Sequence, residues 1–405
     1  MVSPTPLAGT RVLDLTRFVA GSYVTMALSA LGADVVKIEV PPVGDPYRRQ
    51  GTVEIAGESS LFLSLNGGKR SLALDIRREE AREVIGRLVD RADFIVQNAR
   101  PGSLDRHGLG WDAVHARNPR CVYASISGYG EKGPRSAAGG FDLVLQAESG
   151  VMSVTGSPDG QPIAIGAPLL DVGAGMSCLV GILAAHIERL DSGVGTHVGS
   201  SLLEFALAGF TTVAAAYLGG GIAPTASGGH SPLFAPYGSF RARDGWVVLA
   251  GAGSEHLWHA LCATIGRPQL VDDARFADNA SRVTHRDELV ELIEEALATA
   301  PAPEWVERLE RAGVPAGVIT SVPDMLASEQ VAALESVRSV PLDGEAYETV
   351  GFPFRFDGAA TGPAFAAPHL GQHTNEVLAE LAFDATEIKA LEAQGVVVAA
   401  TEIAV

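Results

Sequence analysis

Short apolar runs and helical stripes alternate along the first third of the chain. RVLDL (11–15) suits a buried strand, a small-residue stretch at 21–32 reads as a helix, and ADVVKIEV (33–40) is a second strand. SLALDI (71–76) follows as a third strand, then REEAREVIGRLVDRA (78–92) with apolar residues at helical spacing. DFIVQN (93–98), a helix around 110–117 and CVYASISGYG (121–130) keep the rhythm. Strands alternating with helices imply parallel pairing, because each crossover must lay a helix on one face of the sheet. The expected class is α/β, with a Rossmann-like doubly wound large domain.

The pattern changes after residue 222. GGGIAPTASGGHSPLFAP (219–236) is rich in Gly, Pro and Ser and reads equally as a linker or as a closing loop. YGSFRARDGWVVLAG (237–251) reads as a hairpin turning at Arg-Asp-Gly. Helical periods follow at 256–266, 286–299 and 303–313. This divides the chain into a discontinuous large domain, 1–222 with 330–405, and a smaller α/β domain, 223–329.

The turn after the first strand is TRFVAGSY (16–23), without the glycines that let a Rossmann turn approach a pyrophosphate, so a dinucleotide is not expected and Glu39 carries no ribose role. The apolar stretch at 200–221 is almost long enough to cross a bilayer. It contains Glu204, and a charge within a span costs roughly 2.5–3.5 kcal/mol even on lenient scales, so a buried helix between layers is expected instead.

A formal net charge of −18 argues against nucleic acid and anionic lipid as general partners. An anionic ligand would need a local basic cluster. Only Lys37, Lys69, Lys132 and Lys389 are lysines, and three of them fall in the first third. Cys121, Cys178 and Cys262 are widely spaced among apolar residues and read as buried thiols of a reducing compartment. The N-terminus shows no signal-peptide pattern, which with the cysteines points to the cytoplasm.

Asp171 stands where an extended, proline-containing lead-in meets the apolar helix of GAPLLDVGAGMSCLVGILAAHIERL (166–190). By residue type it is either an N-cap or a nucleophilic carboxylate. The second reading draws on the helix dipole, which would hold it ionised, and on Gly173, Ala174 and Gly175, which would admit a bulky substrate. Asp142, in GGFDLVLQ, reads by residue type as a strand-end or turn carboxylate. His256 and His259 lie one turn apart without a completing ligand set, so no metal is expected.

The ordered motifs resemble the class III CoA-transferases, the family of formyl-CoA and carnitine CoA-transferases. They are PLAGTRVLDLTRFVAGSYVTMALSALGADVVKIE (6–39), GKRSLALD (68–75), VQNARPGSLDRHGLGWD (96–112), SISGYG (125–130), GGFDLVLQAESGVMSVTG (139–156), Asp171 with its helix, DGWVVLAG, DDARFADNASRVTHRDEL (272–289), AGVPAGVI and APHLGQHT. The resemblance implies transfer of CoA from an acyl-CoA to a free carboxylic acid, with Asp171 as covalent nucleophile and no permanently bound cofactor. It places coenzyme A against Val19, Ala20, Lys69, Asn98, Ala99, Arg100 and Arg106, and it gives Asp142, where formyl-CoA transferase carries a glutamate, a part in assisting acyl exchange as the alternative to a turn carboxylate. It also implies an interlocked homodimer, each chain a ring threaded by the other, closed here by the tail after about 330.

Two positions depart from the formyl-CoA pattern: Val19 replaces a glutamine and Val40 an arginine, which points to a different acid. Arg17 and the His230 region could hold a second carboxylate, as of succinate, malate, mesaconate or citramalate. An α-methylacyl-CoA racemase is the rival reading within the superfamily, but its histidine position is Phe141 here. A non-catalytic acyl-CoA-binding protein is the rival of another class.

Overall fold

The computed structural model describes residues 5–400. They form two compact units: one of residues 5–149, 165–212 and 329–400, the other of 150–164 and 213–328.

The first unit is built on β1 (Arg11–Leu15), β2 (Asp34–Glu39), β3 (Arg70–Leu74), β4 (Phe94–Gln97), β5 (Val122–Ser127) and β6 (His197–Ser201). These six strands are parallel in the order β3-β2-β1-β4-β5-β6, and Val397–Val398 adds an antiparallel edge to β3. The sheet is therefore a mixed, mostly parallel one of seven strands, and the mixed α/β class expected from the sequence is the one found.

Its strands read as continuous apolar runs because both faces are covered. On one face Leu13, Val36, Leu72 and Ile95 pack with Val84, Ile85 and Leu88 of α2 (Ala81–Arg91), and with Val377, Leu378 and Ile388 of the tail. Returning to this sheet, the tail leaves its last strand in register with β3, Val397 opposite Leu74. α1 (Ala20–Ala30) opens directly after the β1 turn, with Ala20, Val24, Ala27 and Leu28 buried.

The stretch at 200–221 departs from expectation. It is the end of β6 followed by two helices, Leu202–Gly209 and Thr211–Gly220, broken at Phe210. Leu207, Tyr217 and Leu218 are exposed, so this is not one buried helix.

The second unit holds a three-stranded antiparallel sheet of β7 (Tyr237–Arg241), β8 (Trp246–Ala250) and β9 (Ala316–Val318). Phe240, Val247 and Leu249 form its core with Trp258, Leu261, Phe276, Leu289, Ile293, Trp305 and Leu309 from the surrounding helices.

Candidate active site

The strand order reverses between β1 and β4, and a ligand crevice is expected there, outside the carboxyl ends of the strands. The first unit carries a cleft of about 870 Å³ at this place. Its walls are the segments that leave β1 (Arg17 to Ala20), β2 (Val40 to Gly44), β3 (Ile76, Arg77), β4 (Asn98 to Arg100) and β5 (Ser127, Gly128). Asn98 clasps the two sides of the reversal: its Oδ1 accepts the Arg17 N–H at 2.9 Å and its Nδ2 donates to the Arg17 carbonyl at 2.7 Å. Both bonds use the Arg17 backbone, which leaves the side chain free.

The β1 turn is fixed from below by charges inside the sheet. Asp14 and Lys37 sit on β1 and β2, fully buried. Lys37 Nζ donates to the Thr16 carbonyl at 2.8 Å and pairs with Asp45 at 3.0 Å. Lys69 Nζ donates to Asp14 at 3.0 Å, to the Ser22 carbonyl at 3.1 Å and to Asn66 at 2.8 Å. Burial alone would raise the Asp14 pKa, but Lys37, Lys69 and the Thr16 and Thr25 hydroxyls bring it down to about 2. Burial brings Lys69 down to about 8, with Asp14 opposing.

Lys69 therefore does not face the nucleotide path. Its ammonium is enclosed with no exposed surface, as the counter-charge of a strand aspartate. The expectation that it lines the CoA site is corrected by the structure.

Above this cluster Phe18 adopts φ = 60°, a left-handed conformation that costs a non-glycine residue on the order of 1–3 kcal/mol. Its N–H donates to Asp45 at 3.4 Å, and its ring packs edge-on against Tyr47 (5.5 Å) and Phe141 (6.0 Å). The turn thus sets Phe18 and Val19 into the cleft wall.

Asp171 enters the cleft from α4 (Leu169–Ser192), in the first turn rather than at the cap, which is Pro168. The capping is done by another chain segment. Asp142, first residue of α3 (Asp142–Glu148), accepts the N–H groups of Leu170 and Asp171 at 2.8 and 3.0 Å, and is held in turn by Gln146 Nε2. Asp142 is thus a carboxylate cap for the helix that presents Asp171.

The Asp171 carboxyl accepts no hydrogen bond among the described residues. Burial, and after it the nearby charge of Asp142, pushes its pKa up to about 7. The expectation that the helix dipole holds it ionised fails for a physical reason: a second carboxylate already occupies the positive end of that helix.

Gly173, Ala174 and Gly175 are buried and do not open space for a substrate. A Cβ at Gly173 would meet the Phe205 ring at 2.0 Å, and one at Gly175 would lie 2.8 Å from the Ala20 carbonyl. Gly175 lets α4 approach α1 at the β1 turn, and Gly173 lets it approach the helix Leu202–Gly209.

Of the residues singled out from the sequence, Arg17, Val19, Ala20, Asn98, Ala99, Arg100, Arg106 and Asp171 line this one cleft. Asp142 stands behind Asp171. His230 belongs to the second unit and lines a recess there. Arg17, Arg100 and Arg106, all lining the cleft, form no ion pair with a carboxylate among the described residues. Arg77 also lines the cleft, paired with Asp75 at 2.7 Å, and the sequence reading missed it. Its place just past a strand end was the available signal. Cys121, Cys178 and Cys262 are buried and unpaired.

The fold is thus a doubly wound sheet with a carboxyl group at one side of a switch-point cleft and arginines without carboxylate partners along the same cleft, a setting suited to an anionic ligand. The chain belongs to CoA-transferase family III, whose sequence profile matches residues 7–374. An acyl-CoA transferase of Fusarium pseudograminearum is 36% identical over 96% of this chain and 88% of its own length. The succinyl-CoA:glutarate CoA-transferase of Mus musculus is 35% identical over 97% and 90%. Among solved structures, a CAIB/BAIF family protein from Brucella suis superposes with a TM-score of 0.83 at 34% identity, covering 93% of this chain and all of its own. The enzyme is a CoA-transferase.

Proposed function

We propose that the enzyme moves CoA from an acyl-CoA to a free carboxylic acid through covalent intermediates on Asp171. The observation that carries this reading is a carboxyl group in the cleft wall with no hydrogen-bond partner, while its neighbour Asp142 is fully engaged in capping. An Asp171 oxygen attacks the thioester carbonyl; the C–S bond breaks and CoA leaves as thiolate, giving a mixed anhydride. The thiolate then attacks the aspartyl carbonyl, a C–O bond breaks and the donor acid departs, leaving an aspartyl-CoA thioester. The acceptor carboxylate repeats the sequence in reverse.

Carboxylate is a weak nucleophile, so placement supplies most of the rate. Asp142 keeps the α4 start rigid without taking the reacting oxygens. Arg106 and Arg100 receive the nucleotide phosphates, Val19, Ala20, Asn98 and Ala99 the rest of the CoA chain, and Arg17 one end of the acid. Dicarboxylic acids are the favoured substrates: Arg17 is an unpaired cation in the wall, and the mouse relative is named for succinyl-CoA and glutarate.

A cytoplasmic homodimer with interlocked chains completes the proposal. Val180, Ile187 and Leu190 are about two-thirds exposed along α4, an apolar stripe that a second copy would cover. The proposed domain division is 1–222 with 330–405 and 223–329; the compact units differ from it in giving 150–164 and 213–222 to the smaller one and residue 329 to the larger.

The test is trapping. Incubation with acyl-CoA and then hydroxylamine should modify one peptide, that containing Asp171, and Asp171→Asn should abolish exchange of label between acyl-CoA and free acid. Normal exchange by that variant places the nucleophile elsewhere.

A further inference from the structure

Two arginines of the cleft are held in different ways. Arg77, just past β3, donates through Nε and Nη2 to Asp75 at 2.7 and 2.8 Å, so its fork is filled and its charge is answered by a carboxylate. Arg106 has no carboxylate partner. Its one hydrogen bond among the described residues runs from Nε to Nε2 of His107 at 3.1 Å. Both residues belong to the short 3-10 turn Asp105–His107, and both line the cleft.

An arginine side chain is always charged and has only donors, so in this contact the lone pair is on His107 Nε2 and the ring is neutral. A neutral acceptor does something that an acidic one cannot. It fixes the plane of the guanidinium without cancelling its charge, and it leaves both terminal amino groups for a ligand. The surroundings keep the ring in that form. Burial first, then Arg106, bring the His107 pKa below the ordinary 6.5; Arg77 adds to this, while Asp75 and the Ile76 carbonyl oppose it.

We propose, on the reading of Arg106 as a phosphate contact, that His107 is its positioning residue, holding the guanidinium by Nε so that the terminal amino groups meet a phosphate of the CoA nucleotide. Arg106 is exposed, and a free arginine side chain gives up rotamer freedom when it binds. Restraint by His107 lowers that cost before the ligand arrives, and the gain appears in affinity rather than in turnover.

KM for acyl-CoA and kcat are measured between about pH 5.5 and pH 8, a range that spans imidazole titration. The enzymes are wild type, His107→Leu, His107→Gln, Arg106→Ala and the Arg106→Ala/His107→Leu double variant. At pH 8 His107→Leu should raise KM about threefold to tenfold, the worth of one intramolecular hydrogen bond, with kcat nearly unchanged. His107→Gln, whose amide oxygen takes the place of Nε2, should restore the wild-type KM. In the Arg106→Ala background His107→Leu should add nothing, because no guanidinium is left to hold. Toward low pH the wild-type KM should rise relative to that of His107→Gln, since imidazolium carries a hydrogen on Nε2 and cannot accept. That ratio cancels the titrations of Asp171 and of the phosphates, which the two enzymes share.

A KM for His107→Leu equal to wild type, or the same increase in the Arg106→Ala background, overturns the positioning role. So does a wild-type KM that falls relative to His107→Gln toward low pH, which would make imidazolium itself the phosphate contact. If Arg106→Ala leaves KM unchanged, the reading of Arg106 fails as well; if it raises KM and His107→Leu does not, only the role of His107 fails. Should His107→Leu not fold, the pH dependence of the ratio between wild type and His107→Gln decides alone.

Discussion

Replacing Asp171 by Asn should stabilise the protein while removing its activity, and the size of the gain should depend on pH. In the folded state the Asp171 carboxyl titrates at about 7, against an ordinary 3.8. Between these values the folded chain binds more protons than the unfolded one, so stability falls as pH rises through this window. The gap of about 3 pH units, at about 1.4 kcal/mol each, gives a cost of about 4 kcal/mol above pH 7 and none below pH 4. Asn carries no charge and incurs none of it. Because the Asp171 carboxyl accepts no hydrogen bond, little else is lost. The assay is the melting temperature of wild type and Asp171→Asn at pH 4 and pH 8. The two should coincide at pH 4, and the variant should melt several degrees higher at pH 8. A variant less stable than wild type at pH 8, or the same difference at both pH values, would refute the argument that Asp171 is strained by its surroundings.

The same titration shapes activity: kcat/KM should rise with pH to a plateau with an apparent pKa near 7, and Asp142→Asn should move that limb to lower pH by removing the neighbouring charge. Arg106→Ala should raise KM for acyl-CoA with little change in kcat, by roughly 1.5–3 kcal/mol of uniform binding. If 3′-dephospho-CoA and CoA then bind equally well to wild type and variant, Arg106 does not hold the 3′-phosphate. Lys69→Met should leave KM for acyl-CoA unchanged in any folded fraction but cost about 3–5 kcal/mol by stranding Asp14, measured by urea denaturation. Light scattering at micromolar concentration should give a dimer that does not dissociate on dilution; a monomer excludes the interlocked assembly.

The strands of the large sheet were legible because their surroundings are uniform. RVLDL and ADVVKIEV are mostly apolar and are buried on both faces of the doubly covered sheet, with Asp14 and Lys37 as the charged exceptions. The cleft was legible as a set of turns, since the residues of TRFVAG, QNAR and LDRHG follow strand ends. What could not be read was the partner of each charge. Lys69 looked like a nucleotide cation because Asp14, its true partner, lies 55 positions earlier in the chain. The ionisation of Asp171 was misjudged because Asp142, from a different helix, takes the N–H groups that the dipole argument assigned to Asp171 itself. The glycines after Asp171 resembled room for a ligand and are instead the contact surface between helices. At 200–221 composition alone resembled a single buried helix; the break at Phe210 follows Gly209, and one glycine inside a long apolar stretch is a weak stop signal.

The burial of Lys37 and Lys69 bears on the chemical durability of the enzyme. Acyl thioesters acylate exposed amines without help, and an enzyme that handles them is its own nearest target. Here 26 of the 30 basic side chains are arginine, whose guanidinium does not take an acyl group under such conditions. Of the four lysines, two are sealed inside the fold, and only Lys132 and Lys389 stand in solvent. The large unit lines its cleft with arginines and seals two of its four lysines inside the fold, so few side-chain amines are exposed to spontaneous acylation.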